Sequence, residues 1–273
     1  MQSDQAATFF KTYHAGKSPT IIMLHGFRGT HQEMYPIARS LGKCQVIIPD
    51  LPGHGQTSPL EQEHSISNLI PWLHSFIEDL QLDEPPILAG YSLGAVLAAY
   101  YAMDYPNTIS KLVLIAPLTS PTSKREGSRE SRAVHRHYKI GYLMPSVLAR
   151  SWLTSTALVG KIVRHMAMSS NQKTRQSTKE LLHRVLQESA LPRVVKETHQ
   201  SFLHRHIGEV SEKINVSTLC IYGKLDNIAP VADQLTASRR ITYVKNVQID
   251  NAGHLVPYEN AAEVAHAIQE FVR

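Results

Sequence analysis

Five residues, Gly90-Tyr91-Ser92-Leu93-Gly94, turn the chain from a strand-like run into a helix-like run with almost no room to do so. Ahead of them stands Pro86-Ile87-Leu88-Ala89, short and apolar; behind them comes Ala95-Val96-Leu97-Ala98-Ala99-Tyr100-Tyr101-Ala102, rich in helix formers. Glycines two before and two after the serine let the strand and helix backbones pass closely. The serine is left at a helix N-terminus, where backbone dipoles favour negative charge. A sharp strand-to-helix reversal of this kind belongs to a sheet covered by helices.

The rest of the sequence fits such a sheet. Thr8–His14, Thr20–Leu24, Cys44–Pro49, Ile87–Ala89, Leu112–Ala116, Thr218–Tyr222 and Tyr243–Ile249 read as strands. Glu33–Leu41, Val231–Ser238 and Ala261–Phe271 read as helices between or after them, and Ile66–Leu80 carries an apolar stripe at helical spacing. Continuous apolar strands alternating with helices predict an α/β fold with a mostly parallel sheet buried on both faces.

The segment from Leu118 to about Ser211 breaks the alternation. It has no clear strand, helical stretches such as Thr178–Glu188, and punctuation at Pro121, Pro145 and Pro192. Between Thr119 and His206 stand 16 Lys/Arg against 5 Asp/Glu, although the whole chain carries only +5. The remainder is therefore acidic, and the contrast marks an insertion. We expect a core of residues 1–118 and 212–273 and a helical cap of residues 119–211 over the sheet's carboxyl edge. Tyr138, Leu143, Met166 and Met168 are candidates for the cap's apolar underside, with Tyr142, Met144 and Trp152 expected to touch substrate.

Composition narrows the class further. With 273 residues, 42% hydrophobic and 19% charged, the chain reads as an ordinary globular domain, with neither nucleic-acid binding nor stable membrane insertion implied. Met1–Ala7 is polar and lacks a basic flank leading into an apolar stretch, so a cytoplasmic location is expected. Cys44 and Cys220 lie in apolar, strand-like surroundings and read as buried thiols of a reducing compartment. The 15 histidines show no metal-ligand spacing on a helix, and no metal or other cofactor is expected. Composition sets no oligomeric state.

A serine hydroxyl becomes a useful nucleophile only when a histidine takes its proton and a carboxylate fixes that histidine's tautomer. Asp226 follows the strand Leu219-Cys220-Ile221-Tyr222, and His254 follows the next strand in Asn251-Ala252-Gly253-His254. Ser92, Asp226 and His254 thus come in that order, each at a strand's carboxyl end, where parallel sheets place their sites. Asp50 is better suited to pinning its own loop, Asp50-Leu51-Pro52-Gly53-His54-Gly55, and Asp250 to capping a turn. Two backbone N–H groups must face the developing oxyanion: Leu93, after the nucleophile, and Phe27, in the loop His25-Gly26-Phe27-Arg28-Gly29. His25 reads as a brace for that loop, and Arg28 beside it as a contact for an anionic substrate.

His25-Gly26-Phe27, Asp50–Gly55, Gly90–Gly94, Asp226 and Gly253-His254 together resemble the α/β-hydrolase superfamily from about Thr20 to Arg273, apart from the inserted segment. Within it the chain is similar to the small capped esterases, lipases and carbon–carbon-bond hydrolases. The resemblance implies a sheet of about eight strands flanked by helices. A serine at position 92 argues against the dehalogenase and epoxide hydrolase branches, where the family has aspartate. It implies hydrolysis of a small-molecule ester or thioester, of small or medium acyl chain, through an acyl-enzyme. The sequence also resembles the menaquinone-pathway enzyme that eliminates pyruvate, a carbon–carbon lyase acting on an acidic substrate. That group has glycine and then arginine after its elbow, whereas this chain has Ala95-Val96. A ligand-binding protein of little turnover on the same fold is the other alternative.

Overall fold

A computed structural model describes residues 8–119, 129–153 and 191–273, together with 155, 166, 168, 176 and 178–180. Seven strands form one sheet: β1 (Phe10–Tyr13), β2 (Thr20–Leu24), β3 (Gln45–Pro49), β4 (Ile87–Tyr91), β5 (Lys111–Ile115), β6 (Thr218–Gly223) and β7 (Val244–Ile249). Their order is β1-β3-β2-β4-β5-β6-β7. Only β1 runs antiparallel, pairing Phe10 with Pro49; every other neighbour is parallel. The resemblance implied about eight strands. The described sheet instead ends at β1, which is exposed along most of its length and carries Lys11, features that blunt an edge against further pairing.

Alternate residues of each central strand enter different cores. Ile22, Leu24, Leu88, Leu112 and Leu114 face one way, against α2 (Ile66–Asp79) and α3 (Leu93–Asp104). Ile21, Met23, Ala89, Val113 and Ile115 face the other, against α1 (His31–Ala38) and the C-terminal helix Ala261–Val272. This two-sided burial explains why the strands read as unbroken apolar runs. Every residue of α3 from Leu93 to Ala102 is buried, so the helix that starts at the serine has no solvent face on which to drift.

Between β5 and β6 the described elements are α4 (Arg129–Tyr142), α5 (Ser146–Leu153) and α6 (Pro192–His204). The Ile207 N–H donates to the Leu118 carbonyl at 2.9 Å, tying the outgoing chain to the returning one. Helix α6 is latched to the loop before α2. Glu197 accepts from the His64 ring at 2.7 Å, Arg193 donates to the Glu61 carbonyl at 2.9 Å, and Ser201 accepts from the Ile66 N–H at 2.9 Å. Helix α7 (Val231–Ser238) follows β6, and the short α8 (Val256–Glu259) leads into the C-terminal α9 (Ala261–Val272). Thr178–Glu180 is helical, while the rest of the helix expected to run to Glu188 lies outside the described residues. No described helix is long and apolar enough to cross a membrane.

Candidate active site

Ser92 sits at the turn from β4 to α3 with φ 51° and ψ −109°, a conformation L-residues rarely adopt. Such a residue stores about 1–3 kcal/mol of strain, which its surroundings must over-determine. They do: the Ser92 N–H donates to the Ile115 carbonyl at 2.9 Å, and the Ser92 carbonyl accepts from the Val96 N–H at 3.2 Å. The flanking glycines are required by contact. A Cβ on Gly90 would lie 2.2 Å from the Gly94 carbonyl oxygen, and one on Gly94 would lie 2.5 Å from the Leu24 carbonyl oxygen.

The three strand-end residues meet. Ser92 Oγ lies 2.9 Å from His254 Nε2, and His254 Nδ1 lies 2.9 Å from Asp226 Oδ2. All three are buried. A carboxylate only accepts, so Nδ1 carries the ring proton and Nε2 presents its lone pair to the serine hydroxyl. Asp226 is held from both sides. Its Oδ1 accepts from the Ile228 and Ala229 N–H groups at 2.9 and 2.8 Å, and its Oδ2 also accepts from the Gln234 amide at 3.1 Å. The two loops approach so closely that a Cβ on Gly223 would meet the Gly253 carbonyl oxygen at 2.3 Å.

The loop holding Phe27 is braced as expected. His25 Nε2 accepts from the Leu51 N–H at 3.0 Å, so its proton is on Nδ1, which donates to the Gly26 carbonyl at 2.9 Å. Burial pushes His25 down to about 4 and keeps it neutral. The Gly29 N–H donates to the same carbonyl at 3.0 Å. The Phe27 N–H lies in that peptide plane, trans to the carbonyl, and so points away from the brace. Among the described residues neither the Phe27 nor the Leu93 N–H meets an acceptor. Asp50 pins its loop, accepting from the His31 N–H at 2.6 Å and the Gln56 N–H at 3.0 Å. Burial raises its pKa, but these bonds and the His31 ring lower it further, leaving it below the usual value. Asp250 does not cap a turn; it is exposed and pairs with Lys224 at 3.1 Å, across the ends of β6 and β7.

Five supporting residues escaped the sequence reading, Glu33, Tyr258, Tyr91, Glu259 and Gln234. Glu33 accepts from the Gly26 N–H with one oxygen and from the Tyr258 hydroxyl, at 2.7 Å, with the other. Burial pushes it up to about 7 against the lowering effect of those bonds and of nearby His254. The Tyr91 hydroxyl donates to the His254 carbonyl at 3.0 Å, and Glu259 accepts from the Gly253 N–H at 2.8 Å. Gln234 donates to Asp226, as above. Thr30-His31-Gln32-Glu33 spells a capping box, which would have placed Glu33 at a helix start but aimed it at Thr30 rather than the Phe27 loop.

The expected substrate contacts separate. Arg28 is buried with its guanidinium 6.0 Å from the Tyr138 ring centre, and Tyr142 is half-buried 5.5 Å from the His199 ring. Trp152 stacks on His137 at 5.5 Å and donates its indole N–H to the His137 carbonyl at 3.0 Å. Met144 is half-buried at the α4–α5 connection, and no described contact joins it to the serine or the histidine. Leu143 is exposed. Met168 lies against the His254 loop, its Cγ 2.7 Å from where a Gly253 Cβ would stand. Among the described residues no group of three or more His, Cys, Asp or Glu could hold a metal ion.

The family model for the alpha/beta hydrolase fold matches residues 19–261. The chain belongs to the α/β-hydrolase family. This α/β-hydrolase is 26% identical over 266 residues to human monoacylglycerol lipase ABHD6, covering 94% of this chain and 76% of that one. It is 27% identical over 268 residues to the pimeloyl-[acyl-carrier protein] methyl ester esterase of Shewanella oneidensis, covering 94% and 90%. Among solved structures, an esterase from Exiguobacterium antarcticum superposes with a TM-score of 0.79 at 16% identity, covering 98% and 97%.

Proposed function

We propose that the protein is a serine hydrolase that cleaves carboxylic esters of small or medium acyl chain through an acyl-enzyme. The observation that carries this reading is the relay from Ser92 Oγ through His254 to Asp226, with both bonds at 2.9 Å, on a strained turn. Ser92 attacks the ester carbonyl while His254 Nε2 takes its proton. The Leu93 and Phe27 N–H groups receive the carbonyl oxygen as it becomes negative. The imidazolium, stabilised by Asp226, then protonates the departing alcohol. Water, deprotonated by the same His254, attacks the acyl-serine and releases the acid. A thioester would pass through the same steps. Esterases and lipases among the relatives support the bond type.

We read residues 119–211 as a cap that sets the shape of the acyl site, and the two buried free thiols, Cys44 and Cys220, fit a cytoplasmic location. The test is a fluorophosphonate probe with a p-nitrophenyl ester series from acetate to palmitate. Wild type should be labelled and should turn over the shorter esters, while Ser92→Ala should do neither. Equal labelling of the two proteins would remove Ser92 from its role.

A further inference from the structure

The corner where α4 turns into α5 presents large apolar side chains to water. Leu143 is 82% exposed, Val147 77% and Leu148 59%, all within six consecutive positions. A single exposed leucine is ordinary, but a cluster of this kind marks an interaction surface. The inward positions of the same corner are already filled. Gly141, Ala149 and Leu153 are buried, and a Cβ on Gly141 would meet the Leu153 side chain at 2.8 Å. The corner is thus closed by its own core, and Leu143, Val147 and Leu148 are surplus to it. Side chains so exposed touch little of their own chain, so these three project outward and line no groove.

Positive charge surrounds the corner. Arg136, Lys139 and Leu143 stand three and four positions apart and share the solvent face of α4, while His137, Tyr138 and Gly141 are buried on its other side. From Ser131 to Lys179 the sequence holds nine Lys/Arg and no Asp or Glu. Apolar tips set in an acid-free, cationic rim match a surface that is anionic at its top and apolar just beneath.

We propose that the α4–α5 corner docks the protein on an anionic lipid bilayer, with Leu143, Val147 and Leu148 entering the acyl-chain boundary and Arg136 and Lys139 level with the headgroups. A bilayer takes up projecting apolar side chains without a matching pocket, whereas a protein partner must supply one. Anionic headgroups attract a basic segment within about a Debye length, ~8 Å at physiological salt, which is the scale of one helix face. Three apolar side chains and a few charges give reversible, peripheral docking. No described helix crosses the bilayer. The docking involves no step of ester hydrolysis and stands apart from that reading.

The experiment is co-sedimentation with mixed phosphatidylglycerol–phosphatidylcholine vesicles and with pure phosphatidylcholine vesicles. Wild type should partition onto the anionic vesicles at least tenfold more strongly. Leu143→Ser, Val147→Ser and Leu148→Ser combined should lower that partitioning at least tenfold, and Arg136→Gln with Lys139→Gln several-fold. Circular dichroism checks that the variants fold. Val147→Cys carrying an NBD fluorophore, attached selectively because Cys44 and Cys220 are buried, should brighten and shift to the blue on the anionic vesicles. Wild type that stays in the supernatant overturns the proposal, as does sedimentation without an NBD shift, which would put another surface on the lipid. A folded serine variant that sediments like wild type overturns it too, because charge alone, which an acidic protein would equally satisfy, is then at work. Sedimentation velocity without lipid gives the last arm: a wild-type dimer that the serine variant abolishes assigns the corner to a second copy of the chain and overturns lipid docking. Should the serine variant not fold, the NBD shift and the loss in the glutamine variant decide.

Discussion

The carboxyl edge of the sheet and the helices above it hold their polar atoms in opposite ways. At the edge, Asp226 accepts four hydrogen bonds, and the ring of His25 and the carboxylate of Glu33 each use both of their polar atoms on partners inside the protein. Beneath α4 and α6 the rings of Phe27, Tyr138, Tyr142 and His199 stack and tilt against one another, leaving the His137 nitrogens and the Tyr142 hydroxyl without partners among the described residues. The first arrangement fixes atoms to fractions of an ångström, as chemistry at a reacting carbonyl needs. The second offers an aromatic surface and spare donors, as recognition of a particular ligand needs. Substitutions at the edge should therefore lower kcat for every ester alike, and substitutions beneath the helices should change which ester is preferred.

The sharpest break of that contrast is Asp226→Asn. An asparagine must point its NH2 either at the Ile228 and Ala229 N–H groups or at His254 Nδ1. The first choice sets donor against donor and opens the loop. The second forces the ring proton from Nδ1 to Nε2, where it faces Ser92 Oγ and blocks deprotonation. We expect kcat to fall by about 10³–10⁴ for acidic and neutral esters equally, with folding retained. Circular dichroism and steady-state kinetics check this; a fall confined to one ester class would place Asp226 in recognition.

Glu33→Gln is the next test, and its effect should be smaller because Glu33 acts through Gly26 and touches no substrate. A glutamine oxygen can still accept from the Gly26 N–H but without charge assistance, and its NH2 reverses the bond to Tyr258, donating to the phenol oxygen and turning the phenol O–H away. A loosened Phe27 loop should lower kcat by about 10–10² while KM moves little, since the oxyanion exists only in the transition state. Stability should respond separately. Glu33 lies near 7 in the folded protein against 4.5 in its reference state, so the folded state holds the extra proton. That contribution is complete below about 4.5 and is lost as pH rises through about 7, a change of about 3 kcal/mol. Glu33→Gln lacks it, so its melting temperature should gain on that of wild type across this window. Parallel melting curves in the two proteins would show that Glu33 keeps one charge state throughout.

The same contrast governs what the sequence made legible. The edge could be read because its demands are local: glycines at 90 and 94 for close passage, and an acid and a histidine immediately after their strands. Strand and helix positions were readable too, since two buried faces leave apolar runs and one buried face leaves a stripe. Glu33, Gln234 and Tyr258 were not, because each reaches a partner brought near only by the finished sheet. Glu33 even carried a misleading local signal, the capping box at Thr30. Under the helices, Arg28 was legible as a charge beside the Phe27 loop, but its burial against Tyr138, 110 positions on in sequence, is a product of folding. Leu143, read as pocket-lining from apolar character alone, is exposed at the connection between α4 and α5, where Met144 is half-buried.

The smallest expected effect separates the positive charge of residues 119–206 from that of Arg28 in the loop after β2. Of the 16 Lys/Arg between Thr119 and His206, Arg136, Lys139, Arg150, Lys179, Arg193 and Lys196 are exposed on described helices, whereas Arg28 is buried. Solvent-exposed charges steer an anionic ester over a Debye length of about 30 Å at 0.01 M salt and only about 3 Å at 1 M. A buried guanidinium is screened far less, because ions do not reach it. Raising salt across that range should therefore cut the preference for an anionic ester, read as kcat/KM for monomethyl glutarate over methyl valerate, several-fold and by the same factor in wild type and Arg28→Met. If salt alone erases the whole preference in wild type, the basic surface is the selector, and the division of labour between the sheet edge and the helices above it runs through solvent rather than through a buried contact.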